Sequence, residues 1–433
     1  MNEVTVGIVG LLIVLAMFLT GIELAFAMII VGFLGFGYLI SWHAAFNLLA
    51  KDFFDVMNTY GFTVIPLFIL MGQLAFHSGA AKRLFDTAFK FIGHIPGGLA
   101  MTTVVAASTF KAICGSCPAT AATFASVAVP EMDRYKYDKR LSTGVVASVG
   151  TLGVLLPPSV TLIVYGIITD QSIGRLFLAG IFPGLLTAFF FITVILGWCT
   201  INPDLGPQGE KSTWGQRFRS LPEVIWVVAI FLLVIGGILQ GFFTPTEAGS
   251  VGTFLVLVFA FARRDLNLKG YIAAGLESLR TACMVMLLIT GSVVLGHFIT
   301  VTKIPMIAAD WVVTLQTPSW VIVLVISLIY IIGGSFIDDF AFMILATPIF
   351  YPAIIRLGYD PLWFGMLVCL TVMVGLVIPP MAIVVFIVGK ITKTPLRIVY
   401  AGVYPFLLSL AVVAILVFIF PPIVTWLPHI LMP

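Results

Sequence analysis

The chain has 433 residues, of which 61% are hydrophobic and 9% charged, against about 25% charged in soluble domains. So apolar a composition excludes a soluble globular protein. The net charge of +3 says little by itself, and no nucleic-acid partner is expected.

Apolar runs at residues 4–17, 24–40, 224–239 and 320–332 recur along the whole length. Each approaches the ~20 apolar residues that cross ~30 Å of hydrocarbon. They predict an all-α polytopic protein, a single integral membrane domain over 1–433. The largest polar insert, 202–221, reads as a loop. Met1-Asn2-Glu3 lacks the basic region of a cleaved signal. The five cysteines are scattered, which argues against a disulfide framework. Taken in chain order, Thr20-x-x-Glu23 has the capping-box pattern of a helix start, and so does Thr244-x-x-Glu247. Capping is therefore the expected role of two acids that otherwise look buried.

Lys and Arg favour cytoplasmic loops. With both termini outside, eighteen Lys and Arg fall on the cytoplasmic side, Lys111 and Arg280 among them. Lys51, Arg175, Lys303 and Arg356 stay outside, which completes the 22. That path makes 95–130 enter and leave through the cytoplasmic face. Its 36 residues, broken at Cys114-Gly115-Ser116-Cys117-Pro118, are too few for two spans and a turn. They predict a re-entrant helical hairpin, with Pro118 in the first turn of the second limb, where a missing N–H costs nothing. Residues 319–352 predict a second hairpin from the outside, broken around Gly333-Gly334-Ser335.

An internal repeat links the two hairpins. Gly153 and Pro157-Pro158 recur 222 residues later as Gly375 and Pro379-Pro380. At the same offset Tyr137-Asp138 becomes Tyr359-Asp360, Arg175 becomes Arg397, Ala179-Gly180 becomes Ala401-Gly402, and Pro183 becomes Pro405. The first copy is assigned to 62–200, the connecting helices to 201–279 and the second copy to 280–420. Five predicted crossings separate equivalent points, so the second copy is inverted. Inverted repeats with broken helices are a common design of secondary transporters, with substrate and ions near the midplane.

The breaks carry the chemistry. Proline removes a backbone donor and clashes with the preceding turn, so Pro157, Pro158, Pro379 and Pro380 interrupt two spans. The freed carbonyls cannot face lipid; they suit a small hard cation. Half-helix amino termini suit a carboxylate. One sodium site per repeat and an anionic substrate between the tips are expected. Ser116 and Thr120 offer hydroxyls at the first tip. Asp338 stands 222 residues after Ser116 in an apolar stretch, where charge is costly and usually functional, and is favoured for ion or substrate coordination. Asp339 either caps the following helix or acts directly. Cys114-x-x-Cys117 lacks the context of a redox or metal motif. The histidines at 43, 77, 94, 297 and 429 show no ligand or triad spacing, and no phosphate-binding loop is present. No enzyme, no cofactor and no metal other than Na+ is expected.

These motifs carry a resemblance. Gly115-Ser116-Cys117-Pro118-Ala119-Thr120, Gly150-Thr151-Leu152-Gly153 with Pro157-Pro158-Ser159, Phe243-Thr244-Pro245-Thr246-Glu247, Gly358-Tyr359-Asp360-Pro361 and the Asp338 hairpin resemble the large membrane subunit of tripartite (TRAP) transporters over essentially the whole chain. The resemblance implies an elevator mechanism, a fold of the wider ion-transporter superfamily, and sodium-coupled uptake of a carboxylate in a bacterial inner membrane. The carboxylate would be a C4-dicarboxylate, sialic acid or another sugar acid. It implies two partners, a periplasmic substrate-binding protein and a small four-helix membrane subunit. By carry-over, Ser116, Thr120, Gly150, Thr151 and Gly153 would surround one sodium. Gly334, Asp338, Thr371 and Gly375 would surround the other. Ser116, Ser159, Thr161 and Asp338 would lie near substrate. Two departures stand out: Cys117 where the family often has serine, and Met381 after the second Pro-Pro where the first has Ser159. A stand-alone ion-coupled carboxylate transporter of the same superfamily is the alternative.

Overall fold

The structure is a computed structural model that describes residues 2–314, 317–337, 339–380 and 382–432. Asp338 and Met381 therefore lie outside the described residues, as does the side chain of Asp339. Among the described residues the chain is all helical, and seven of its helices are long and apolar enough to cross a membrane. Phe26, Leu12, Leu232 and Phe254 leave large apolar side chains exposed, the surface a lipid solvent requires rather than water.

Three helices, α1 (Glu3–Leu19), α2 (Leu24–Leu39) and α3 (Trp42–Asn58), precede the first repeat. That repeat runs α4 (Val64–His77), α5 (Ala80–Ile92), α6 (Gly98–Lys111), α7 (Cys117–Arg134), α8 (Lys139–Thr151), α9 (Val160–Ile168) and α10 (Ile173–Ile201). Next come α11 (Trp214–Ser220), α12 (Pro222–Leu239) and α13 (Pro245–Ala262), then the 34-residue α14 (Leu268–Val301) and α15 (Ile304–Thr314). The second copy, 280–420, begins within α14 and takes in α15, α16 (Ser319–Phe336), α17 (Asp339–Arg356), α18 (Pro361–Gly375), α19 (Ile383–Thr392) and α20 (Leu396–Ile419); α21 (Pro422–Leu431) follows.

Helix bounds recur at the offset of 222. α7 begins at 117 and α17 at 339; α8 begins at 139 and α18 at 361. The recurring Tyr-Asp pair has a local cause. Asp138 accepts from Arg140 N (2.7 Å) and Asp360 from Leu362 N (2.7 Å), so each aspartate caps the helix that leads to a break. Packing crosses between the copies. α7 lies on α8 and also on α19; α17 lies on α18 and also on α9. Each hairpin thus touches the broken helix of both copies. α14 packs against α2 and α4, and α13 against α4, which builds a flank beside the hairpins. Arg83 on α5 pairs with Asp265 (3.0 Å) and Glu223 (3.2 Å), and Arg263 pairs with Glu223 (2.8 Å), so α5, α12 and the turn after α13 meet in one ionic cluster.

Five expectations change. The polar insert 202–221 is not all loop: Trp214–Ser220 forms α11, started by a capping box between Thr213 and Gln216. Glu23 and Glu247 are exposed. Thr244 and Glu247 form the expected capping box, but Glu23 itself stands at the N-cap of α2 without a side-chain bond, and Thr20 Oγ1 donates to Met17 O instead. Gly333, Gly334 and Ser335 do not break the second hairpin. They finish α16, and the chain turns extended only at Ile337. The glycines serve close packing, since a Cβ on Gly333 would run into the Phe342 ring. Lys111 is not a loop cation. It is fully buried at the end of α6, so it carries no weight in a count of loop charges.

Candidate functional site

The first hairpin turns through residues 112–116 between α6 and α7. Ser116 caps α7, its hydroxyl accepting from Ala119 N (3.3 Å), and Pro118 occupies the first turn. The Ser116 carbonyl accepts two further bonds, from Thr120 Oγ1 (2.9 Å) and from Lys111 Nζ (2.8 Å). Cys117 is buried and its thiol donates to Thr151 O at 3.8 Å, which joins tip to break.

The first break follows α8. A short 3-10 turn, Leu152–Val154, replaces the α-helix, and α9 starts only at Val160. Ser159 caps α9, accepting from Leu162 N (3.4 Å) and donating to Val154 O (2.8 Å). Thr151 Oγ1 donates to Ser148 O (2.7 Å). Tip and break touch: a Cβ on Gly115 would stand 2.7 Å from Pro158 O and 3.4 Å from Val160 N. The amino ends of α7 and α9 thereby converge, and each carries the partial positive charge of unpaired N–H groups. Gly150 packs on Ala121 of the hairpin, at 2.9 Å from a built Cβ.

The second break lies between Gly375, the last residue of α18, and α19. Thr371 is buried, its hydroxyl donating to Val368 O (2.8 Å). A Cβ on Gly375 would come within 2.7 Å of the Gly334 carbonyl carbon, so hairpin and break meet backbone to backbone through two glycines. Both Pro157-Pro158 and Pro379-Pro380 are cis.

The structure therefore brings Ser116, Thr120, Thr151 and Gly153 around the first tip, with Gly150 one turn back along α8. It joins Gly334 to Gly375, with Thr371 one turn back along α18. A cavity of ≈ 30 Å³ lies beside the first tip, lined by Gln73, Gly115, Ser116, Val160, Thr281 and Phe340, among others. It reaches from the first hairpin to the second, where Phe340 follows the two aspartates. Ser159 does not line it, because its hydroxyl is turned to Val154 O. Thr161 is buried nearby, and its Oγ1, like Gln73 Oε1, has no hydrogen-bond partner among the described residues. Gln73 gave no signal in the sequence, being one polar residue inside an apolar helix outside both hairpins. At this volume the cavity holds about one water, well below the ~300 Å³ and above usual for ligand pockets. A carboxylate needs it wider.

The family model for the tripartite ATP-independent periplasmic transporter, DctM component, matches residues 11–423. The C4-dicarboxylate TRAP transporter large permease protein DctM of Pseudomonas aeruginosa is 34% identical, with 88% of this chain and 89% of that one covered. The sialic acid TRAP transporter large permease protein SiaM of Vibrio cholerae is 30% identical over 96% of both. Among solved structures, the YdaH transporter of Alcanivorax borkumensis shares the fold at a TM-score of 0.58 and 14% identity, covering 88% of each chain. Gonococcal MtrF gives a TM-score of 0.53 at 14% identity over 86% of this chain and 83% of its own. From the apolar helices to the motifs at the breaks, the chain is a multi-pass membrane protein and belongs to the DctM, large permease, family of TRAP transporters.

Proposed function

We propose that this subunit imports an organic acid across a bacterial inner membrane by sodium coupling, with the hairpins and broken helices moving as one body against the remaining helices. The observation that carries the reading is the duplicated constellation of a hairpin tip seated on a Pro-Pro break, Gly115 on Pro158 and Gly334 on Gly375. Backbone oxygen released by a break inside a membrane needs a buried polar partner, and a cation is one. Coupling thus draws on a cation at each break. The converging amino ends of α7 and α9 favour a carboxylate beside Ser116 and Thr161. Asp338, Gly334, Thr371 and Gly375 are assigned to the second cation, and Ser116, Thr120, Gly150, Thr151 and Gly153 to the first.

Relatives support the substrate class. Two are named for C4-dicarboxylate and sialic acid, and an Escherichia coli relative of 29% identity for 2,3-diketo-L-gulonate. All three are organic acids. Delivery by a periplasmic binding protein and completion by a small membrane subunit follow from the family. An isethionate permease protein of Oleidesulfovibrio alaskensis, matched over 58% of its length, has room in one chain for a second membrane component.

The test is uptake of radiolabelled C4-dicarboxylates and sialic acid into proteoliposomes holding this chain with its small subunit. Sodium gradient and binding protein are supplied together and singly. Uptake that needs both is the expected result. Uptake without the binding protein would establish a stand-alone carrier. Uptake indifferent to sodium would end the coupling proposal.

A further inference from the structure

We propose that the cation at the first break is not a second sodium ion but the side-chain ammonium of Lys111. The inference rests on the reading that each break holds a cation, and it concerns which cation fills the first.

Lys111 is the only charged residue in 95–130, and it is 0% exposed. A buried ammonium needs oxygen partners and compensating charge. This one ends α6, where the carbonyl end of the helix favours a positive group. Its Nζ then reaches over the tip to the Ser116 carbonyl at 2.8 Å. That is the carbonyl Thr120 also addresses. From the other side the ammonium meets the break. A Cβ on Gly153 would collide with Nζ and stand 2.9 Å from Cε, with Cys117 Sγ at 3.3 Å. Gly153 is thus the residue that leaves room for the charge. Lys111 Nζ occupies the space between tip and break, among the oxygen-bearing residues that otherwise suit a small cation.

The second copy is built the other way. The residue 222 positions after Lys111 is Gly333, and the space beside it is filled by the Phe342 ring. No Lys or Arg lies in 319–352, where Asp338 and Asp339 are the only charges. One hairpin carries a positive charge at its tip and the other carries two carboxyls. A mobile cation is required where acids stand without a lysine and is redundant where the chain supplies its own. The transporter then moves one sodium fewer per substrate than a symmetric pair of sites would.

The number of ions can be read without knowing the substrate. The purified chain is melted in sodium chloride or in choline chloride at matched ionic strength. Stabilisation by a ligand of the native state grows with the logarithm of its concentration in proportion to the number bound. The expected result is a one-ion slope for the wild type and a slope about twice as steep for Lys111→Ala, whose truncation opens the first position to sodium. Lys111→Arg, which keeps the charge, should retain the one-ion slope. A two-ion slope in the wild type would overturn the proposal even if no variant can be purified. So would a Lys111→Ala slope equal to the wild type's. No response to sodium in any of the three proteins would fell the sodium reading itself, and the inference with it. In proteoliposomes the sodium-to-substrate ratio from the reversal potential should rise by one in Lys111→Ala.

Discussion

Gly334 and Gly375 lie in one contact but tolerate a methyl group very differently. A Cβ built on Gly375 meets Gly334 backbone at 2.7, 3.0 and 3.1 Å. Those are atoms of a packed helix end and cannot swing aside. A Cβ built on Gly334 finds its nearest neighbour, Gly375 Cα, at 3.7 Å, an ordinary contact. Gly375→Ala should push the second hairpin off the second break at a cost of about 1–3 kcal/mol, the usual range for overpacking. If that cost falls on the ion-bound state, sodium affinity drops roughly 5- to 150-fold, at about 1.4 kcal/mol per tenfold. Gly334→Ala should keep wild-type affinity and gain up to about 1 kcal/mol from the lost flexibility of a helical glycine. The assay is the sodium concentration for half-maximal uptake, measured beside the melting temperature. Equal sodium responses in the two variants would refute the geometry argued for this contact.

Four further outcomes are expected. Ser159→Ala removes the cap of α9 and leaves Val154 O without its donor; it should lower stability by about 1–2 kcal/mol and slow uptake, and an unchanged melting temperature would count against the capping role. Thr161→Val deletes a buried hydroxyl that has no partner among the described residues, so the melting temperature should hold or rise while KM for the carboxylate increases; the opposite pattern would remove Thr161 from the substrate path. Arg83→Lys replaces a fork that reaches Asp265 through Nη1 and Nη2 and lies beside Glu223, and should cost about 1–3 kcal/mol in thermal or denaturant stability. Asp138, in the turn before α8, has its carboxyl held below the usual range chiefly by the Arg140 side chain. Its contribution is complete above the unfolded value near ~3.9 and fades as pH falls through the lower folded value. Wild type and Asp138→Asn should therefore differ in melting temperature at neutral pH and converge in strong acid.

Much of the architecture was legible because the features that define it demand particular residue types. A helix break needs proline, a helix leading to it needs an aspartate cap, and two backbones in contact need glycine. Pro157, Asp138 and Gly153 therefore kept register with Pro379, Asp360 and Gly375 through apolar sequence that can drift freely. The same logic failed where a residue type has several uses. Gly333-Gly334-Ser335 looked like a turn, yet the glycines accommodate Phe342 and Gly375 inside a helix. Lys111 reads as a loop cation in the sequence, because charge statistics see a lysine near a turn and not the Ser116 carbonyl it faces. Gln73 lies 43 residues before Ser116, and only folding sets it on the same cavity.

The crossed packing of α7 on α19 and α17 on α9 bears on how the protein is made. When α9 leaves the ribosome, its partner α17 is still about 170 residues from synthesis. The first hairpin and its half-helix must wait in the bilayer with polar backbone uncovered until the second set arrives. Assembly is therefore a late, long-range event, and a chain that stops after α15 exposes an unfinished tip to membrane quality control. The duplicated design that makes the site also makes half of the protein unable to hold its shape alone.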